Sequence, residues 1–127
     1  MPALRTPCDH ALPSERGFRM QALLVLCTCP DVASAARIAE ALVAERLAAC
    51  VTRLPGARSV YRWQGVIEQA DEVQLLIKTT RAGFETLRAR LCALHPYELP
   101  EILAVAVEAG HAPYLDWLAA QVTPSSE

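Results

Sequence analysis

ACVTRLPGARSVYRWQGVIEQADEVQLLIKTT, residues Ala49–Thr80, reads as two long extended arms, Ala49–Trp63 and Val66–Thr80, turned back on each other at Gln64-Gly65. Only Pro55-Gly56 interrupts the first arm, and in the second Val73, Leu75 and Ile77 alternate with Gln74, Leu76 and Lys78, the period-two pattern of a strand. Strands in globular proteins average about 5–6 residues. Arms this long must therefore bend, with a bulge expected at Pro55-Gly56, or project beyond their own sheet. Val60, Tyr61 and Trp63 lie near the tip, and bulky apolar groups on a projecting ribbon call for cover by another chain. An oligomer built through this hairpin is the expectation.

Working outward, Ala22–Cys29 is a short apolar run suited to a buried strand. Pro30-Asp31 then starts a helix, with Asp31 as N-cap and Ala35, Ile38, Leu42 and Val43 at helical spacing up to about Leu47. After the hairpin, Phe84, Leu87, Leu91 and Leu94 form one helical stripe, for which Thr80 is a reasonable cap. His95-Pro96 ends that helix, because the proline ring pushes His95 out of the α region, and Leu99-Pro100 repeats the constraint. Ile102–Val107 reads as a fourth strand and Pro113–Val122 as a last amphipathic helix carrying Tyr114, Leu115, Trp117 and Leu118. The order predicts an α+β, ferredoxin-like βαββαβ sandwich with a C-terminal helix. Its helices cover one sheet face, and the other face needs a partner; the periodicity does not choose between two subunits and three.

One domain, residues 20–122, is expected from the length, flanked by a flexible tail over 1–19 and a short tail over 123–127. Residues 1–19 mix Pro2, Pro7 and Pro13 with charges and show no apolar periodicity. They lack the apolar core of a signal peptide, and Met20 directly precedes the first hydrophobic run, which makes it a second candidate start beside Met1. A cytoplasmic location follows as the expectation. The five cysteines are odd in number and irregular in spacing, which fits free thiols better than a disulfide framework. At 53% hydrophobic residues the chain is apolar for its 127 residues, yet no segment offers the roughly 20 uninterrupted apolar residues of a membrane span, so the surplus is placed between subunits. A formal charge of −2 gives no electrostatic reason to expect nucleic acid or an anionic membrane as partner.

Six motifs carry a family resemblance: VLCTCPD (Val25–Asp31), AERLAACV (Ala44–Val51), PGARSVYRWQG (Pro55–Gly65), LLIKTTR (Leu75–Arg81), HPYELPE (His95–Glu101) and YLDWL (Tyr114–Leu118). In this order and spacing, over about Leu23–Leu118, they resemble the CutA family of divalent-cation tolerance proteins. The resemblance implies a ferredoxin-like subunit in a tight homotrimer whose long hairpins pair across subunits, an architecture similar to the PII signalling proteins. It also implies binding of copper or other divalent metal ions, with a copper ligand at Cys27. Some relatives have a second histidine just before the one at His95; this chain has Leu94 there, which removes one ligand from a His-His site.

By chemistry, Cys27 and Cys29 point to one face of their strand with α-carbons about 6.5–7 Å apart. That is at the limit for a disulfide, whereas two thiolates can share a soft ion such as Cu(I); equally, both are small hydrophobes of a buried strand. His95 is fixed at a helix end, where it either coordinates a metal or satisfies the last carbonyls. Cys8 and His10 form a Cys-x-His pair with no further support, and Cys50 and Cys92 read as packing residues. Arg58 and Arg62 share a face of the hairpin arm, and with Lys78 and Arg81 they suggest an anion pocket between subunits; Glu68, Asp71 and Glu72 are available to pair them instead. Glu98 and Glu101 flank Pro100, as acid–base groups, hard-cation ligands or anchors of the connector. A Cys27–His95 nucleophile pair lacks a third orienting residue. The reading is a non-enzymatic, cytoplasmic homotrimer that binds copper through Cys27 and His95, with Cys29 as a weaker third ligand. Its alternative is a PII-like regulatory trimer that binds a small anionic ligand or partner protein in clefts lined by Arg58, Arg62, Lys78, Glu98 and Glu101.

Overall fold

The computed structural model of the protein describes residues 15–125. In chain order the elements are α1 (Glu15–Arg19), β1 (Ala22–Cys29), α2 (Val32–Ala44), β2 (Cys50–Trp63), β3 (Val66–Thr80), α3 (Phe84–Leu94), β4 (Leu103–Ala106) and α4 (Ala112–Gln121). The sheet runs β2-β3-β1-β4 with antiparallel neighbours throughout. The two crossovers β1-α2-β2 and β3-α3-β4 therefore interleave, and the fold is α+β and ferredoxin-like.

The hairpin has the anticipated form. Gln64 and Gly65 both take positive φ, 50° and 82°, as a two-residue turn matched to strand twist requires. The register slips between Leu54 and Ala57, and Gly56 at φ 88° supplies the bulge. β1 pairs with β3 only from Thr80 back to Val73, whereas β2 follows β3 to Trp63 opposite Val66. Beyond Val73 the hairpin is thus a two-stranded arm, and Val60, Val66 and Ile67 near its tip are exposed.

Strand alternation divides the sheet into two faces. Val25, Cys27, Cys29, Val73, Leu75 and Ile77 pack with Ile38 and Leu42 of α2 and Leu87 and Leu91 of α3. On the opposite face Leu103 is registered with Leu26 and Val105 with Leu24, and Leu103 and Val105 keep 57% and 52% of their surface exposed. α4 closes one end through Leu118, which clusters with Ala22, Ala49 and Val122. None of the described helices is long and apolar enough to cross a membrane.

Local details depart from expectation where contacts are distant in sequence. Asp31 does cap α2, its Oδ1 accepting from the Ser34 N–H at 2.7 Å. α2 stops at Ala44, however, because Arg46 adopts φ 59° and the Leu47 N–H returns to the Leu42 carbonyl, a Schellman stop. α3 starts after Gly83 rather than at Thr80, whose hydroxyl instead accepts from the Gly83 N–H within the turn. β4 is shorter than Ile102–Val107 because it pairs with β1 only over Leu103–Ala106. Within the expected N-terminal tail, residues 15–19 are helical: the Ala82 N–H donates to the Arg19 carbonyl, and the Arg81 guanidinium sits 4.4 Å over the Phe18 ring. Cys8 and His10 lie outside the described residues. Nor is 123–125 a loose end, since the Thr123 N–H bonds the Arg46 carbonyl, the Ser125 N–H bonds the Ala82 carbonyl, and Ser125 Oγ accepts from the Thr86 N–H at 3.2 Å. Ser125 is thus the side-chain cap that Gly83 cannot be.

Two outcomes follow. A Cβ at Gly83 would stand 2.6 Å from Val122 Cγ1, so Gly83→Ala is expected to lower stability by roughly 1–3 kcal/mol in urea denaturation, and Val122→Ala in the same chain recovers part of that loss. Hydrogen bonds from the backbone and side chain of Ser34 hold the Asp31 carboxyl below its usual range. Its stabilising contribution is therefore complete above the ordinary carboxylate pKa, about 3.9, and is lost as pH falls through the depressed folded value. Thermal melts of wild type and Asp31→Ala should differ at pH 7 and converge toward pH 2.

Candidate metal centre

Alternation along β1 turns Cys27 and Cys29 to the same helix-facing side, and both are fully buried. His95 arrives from the other direction. It is the C-cap of α3 at φ −76°, ψ 136°, the extended conformation that Pro96 imposes, and its ring reaches back to the end of β1. The two Sγ atoms and a ring nitrogen of His95 lie within 4.8 Å of one another, the one such set of three or more metal-ligating side chains among the described residues. Cys29 Sγ is 3.9 Å from His95 Nε2. The three residues singled out as metal ligands are thus brought together.

Both imidazole nitrogens already have partners. The Tyr97 N–H donates to Nδ1 at 3.0 Å, so Nδ1 presents its lone pair and the ring proton resides on Nε2, which donates it to the Thr28 carbonyl at 2.7 Å. Nε2 becomes a ligand only by leaving Thr28. Nor is Nε2 set up as a base for a cysteine nucleophile, since its proton is committed to a carbonyl and Cys29 Sγ stands 3.9 Å away. The thiols form a coupled pair. A hydrogen bond with Cys29, then burial, holds the Cys27 thiol far above its ordinary range, and the same bond lowers Cys29.

Two sulfurs and an imidazole without a carboxylate form a soft donor set. It suits Cu(I) and does not suit calcium or magnesium, which take six or more oxygens; it is one ligand short of a closed zinc site.

Beside this centre a cleft of about 590 Å³ opens between the hairpin arm and the connector after α3. Glu68 and Glu72 line it from β3, Glu98 and Glu101 from the connector, and no lysine or arginine contributes. Tyr61, Trp63 and Tyr97 supply aromatic walls. The Tyr97 hydroxyl donates to Glu72 Oε2 at 2.7 Å, its ring lies 4.9 Å from that of His95, and burial followed by the Glu72 carboxylate pushes its hydroxyl pKa up.

The alternative ligand cleft is not assembled within the chain. Glu98 and Glu101 reach the cleft, but Arg58, Arg62 and Lys78 do not line it. Arg58 bonds Asp71 at 2.6 Å and Gln69 at 3.0 Å across the hairpin, on the opposite side of the ribbon from Tyr61. Arg62 is registered opposite Ile67. Lys78 donates to Thr52 Oγ1 at 2.6 Å and toward Cys50 Sγ at 3.7 Å. Arg81 bonds Gln21. Structural hydrogen bonds thus engage Arg58, Lys78 and Arg81, and Cys92 is exposed on α3 beside Arg88. Sequence reasoning did not anticipate the Thr28 carbonyl or the Tyr97–Glu72 bond; the available signal was the aromatic two residues beyond a proline-fixed histidine.

Residues 23–121 match the family described as CutA1 divalent ion tolerance protein. A divalent-cation tolerance protein CutA of Pectobacterium atrosepticum is 50% identical over 101 residues, covering 80% of this chain and 92% of the relative. One from Thermus thermophilus is 52% identical over 95 residues, covering 75% and 92%. Among solved structures, CutA from Xylella fastidiosa superposes with TM-score 0.79 at 53% identity, covering 81% of this chain and 99% of that one. A protein of Archaeoglobus fulgidus described as a periplasmic divalent cation tolerance protein CutA superposes with TM-score 0.78 at 35% identity, covering 80% and 99%. The match spans the sheet and the helices packed on it, and the chain belongs to the CutA1 divalent ion tolerance protein family.

Proposed function

We propose that this member of a metal-tolerance family acts by binding copper as Cu(I), without catalysing a reaction, at Cys27, Cys29 and His95. The convergence of two buried sulfurs and an imidazole within 4.8 Å carries this reading. Once bound, the ion would satisfy the thiolates in a dry pocket, where a soft cation is held and exchange with water is slow. The donors must remain reduced, which favours the cytoplasm, although the Archaeoglobus relative is described as periplasmic. The PII-like alternative loses its anionic ligand at the level of one chain, because the cleft is lined by carboxylates and no base.

We further propose a homotrimer. The outer sheet face with Leu103 and Val105 and the hairpin tip with Val60, Val66 and Ile67 are apolar surfaces that lack cover, and three chains around an axis would bury both.

In competition with a Cu(I) chelator, the reduced chain is expected to take up about one ion. Cys27→Ala and Cys29→Ala should each weaken binding by at least about tenfold, and His95→Ala by less, since its nitrogen must first leave Thr28. No competition, or binding that survives all three substitutions, overturns the copper site. Light scattering should report three times the 13.8 kDa chain mass, and Val105→Asp, which places a charge on the outer face, should shift the mass toward one chain; a monomeric wild type refutes the assembly.

A further inference from the structure

The Cys27 and Cys29 sulfurs and the acidic cleft lie on opposite sides of β1. The cysteines pack among the helices with Val25, whereas the cleft, lined by Thr28, Val60, Tyr61 and Trp63, opens toward the hairpin tip and the outer sheet face. In the homotrimer proposed above, that is the side another chain covers. An ion and a neighbouring subunit therefore act on this chain from opposite directions, and the connector after α3 bridges the two.

His95 and Tyr97 are the ends of that bridge. His95 belongs to the buried side, with Nε2 2.7 Å from the Thr28 carbonyl and 3.9 Å from Cys29 Sγ. Tyr97 lines the cleft, where its hydroxyl donates to Oε2 of the buried Glu72 at 2.7 Å. The Tyr97 N–H donates to His95 Nδ1 at 3.0 Å, and the two rings stand 4.9 Å apart. Pro96 between them leaves the turn little freedom, so imidazole and phenol shift together.

The turn has two arrangements. With the ring proton on Nε2, Nδ1 accepts from Tyr97 and the phenol is seated on Glu72. For Nε2 to become a ligand it must give up Thr28, and a neutral imidazole then carries its proton on Nδ1, facing the Tyr97 N–H donor against donor. His95 joins the sulfurs only when the turn moves, and Tyr97 moves with it. A subunit packed over the cleft favours the seated phenol, whereas a free chain offers the shift no such resistance.

We infer that ion binding and subunit association oppose each other through the His95–Tyr97 turn, with Tyr97 and Glu72 as positioning residues that act on the ion through His95. This coupling rests on the copper site and the homotrimer proposed above. It is reciprocal: covering the cleft holds His95 on Thr28, and ligation by His95 loosens the cover.

Cu(I) competition titrations of the full reduced chain compare the wild type with Val105→Asp, whose new charge lies on the outer face opposite Leu24. The separated chain is expected to bind Cu(I) about tenfold more tightly than the trimer, and histidine 15N spectra of the loaded proteins should show the His95 proton moved to Nδ1 more completely in Val105→Asp. In a Tyr97→Ala background, which takes the ring out of the cleft, the two affinities should agree within about twofold. In the other direction, subunit exchange between unlabelled and 15N-labelled wild-type trimers, followed by native mass spectrometry, should accelerate about tenfold on Cu(I) loading. The acceleration should shrink in Tyr97→Phe, which keeps the ring and frees it from Glu72. Should Val105→Asp remain trimeric, exchange alone decides. Equal affinities in the two assembly states, or exchange that Cu(I) leaves unchanged, overturn the coupling and leave the copper site and the trimer standing. A wild-type chain that takes up no ion overturns the copper site as well, and a monomeric wild type overturns the assembly.

Discussion

The antiparallel pairing of β1 with β3, from Ala22 opposite Thr80 to Cys29 opposite Val73, is the constraint from which the other elements take their places. It sets β1 in the interior of the sheet, so that one set of alternating residues must face the helices. Cys27 and Cys29 enter the core with Val25 for that reason alone. It also halts the sheet at Val73, and whatever lies beyond on β2 and β3 becomes a projecting arm. A slip of one residue would expose the sulfurs and bury Thr28 with Leu26. Burial of Val25, Leu75 and Ile77, each fully covered, makes that slip costly, at about 1.5–3 kcal/mol for each large side chain removed from the core.

What could be read in advance was whatever depends on neighbours in sequence. Gln64-Gly65 and Pro55-Gly56 announce their turn and bulge through backbone preference, Asp31 caps by reaching three residues ahead, and Pro96 acts on the residue before it. What could not be read depends on groups far apart in the chain. Glu72 and Tyr97 are 25 residues apart, and nothing local to either marks them as partners. Within one chain the cations are likewise placed by remote contacts: Arg58 finds Asp71 across the hairpin, a pairing set by the bulge-shifted register, while Lys78 lies far down the same strand. The helical start at Gly83 and the short helix before Met20 were likewise decided by remote contacts.

The Cys27–Cys29–His95 cluster and the cleft set two kinds of donor in adjoining spaces. Sulfur and imidazole sit in the dry interior, and carboxylates stand in the wet cleft. Hard oxygens attract cations of every kind and discriminate little at a distance; buried thiols discriminate strongly and are reached by few. Thr28 adjoins both, lining the cleft while its carbonyl accepts from the imidazole.

The cap on α3 also bears on the order in which the molecule is completed. Ser125 supplies the oxygen for the Thr86 N–H across 39 residues, and the same helix ends in His95. During synthesis, which runs at about 5–20 residues per second, β1 and both cysteines emerge long before His95 and the residue that caps its helix. A nascent chain therefore carries its two thiols for seconds before the imidazole that packs beside them has been made.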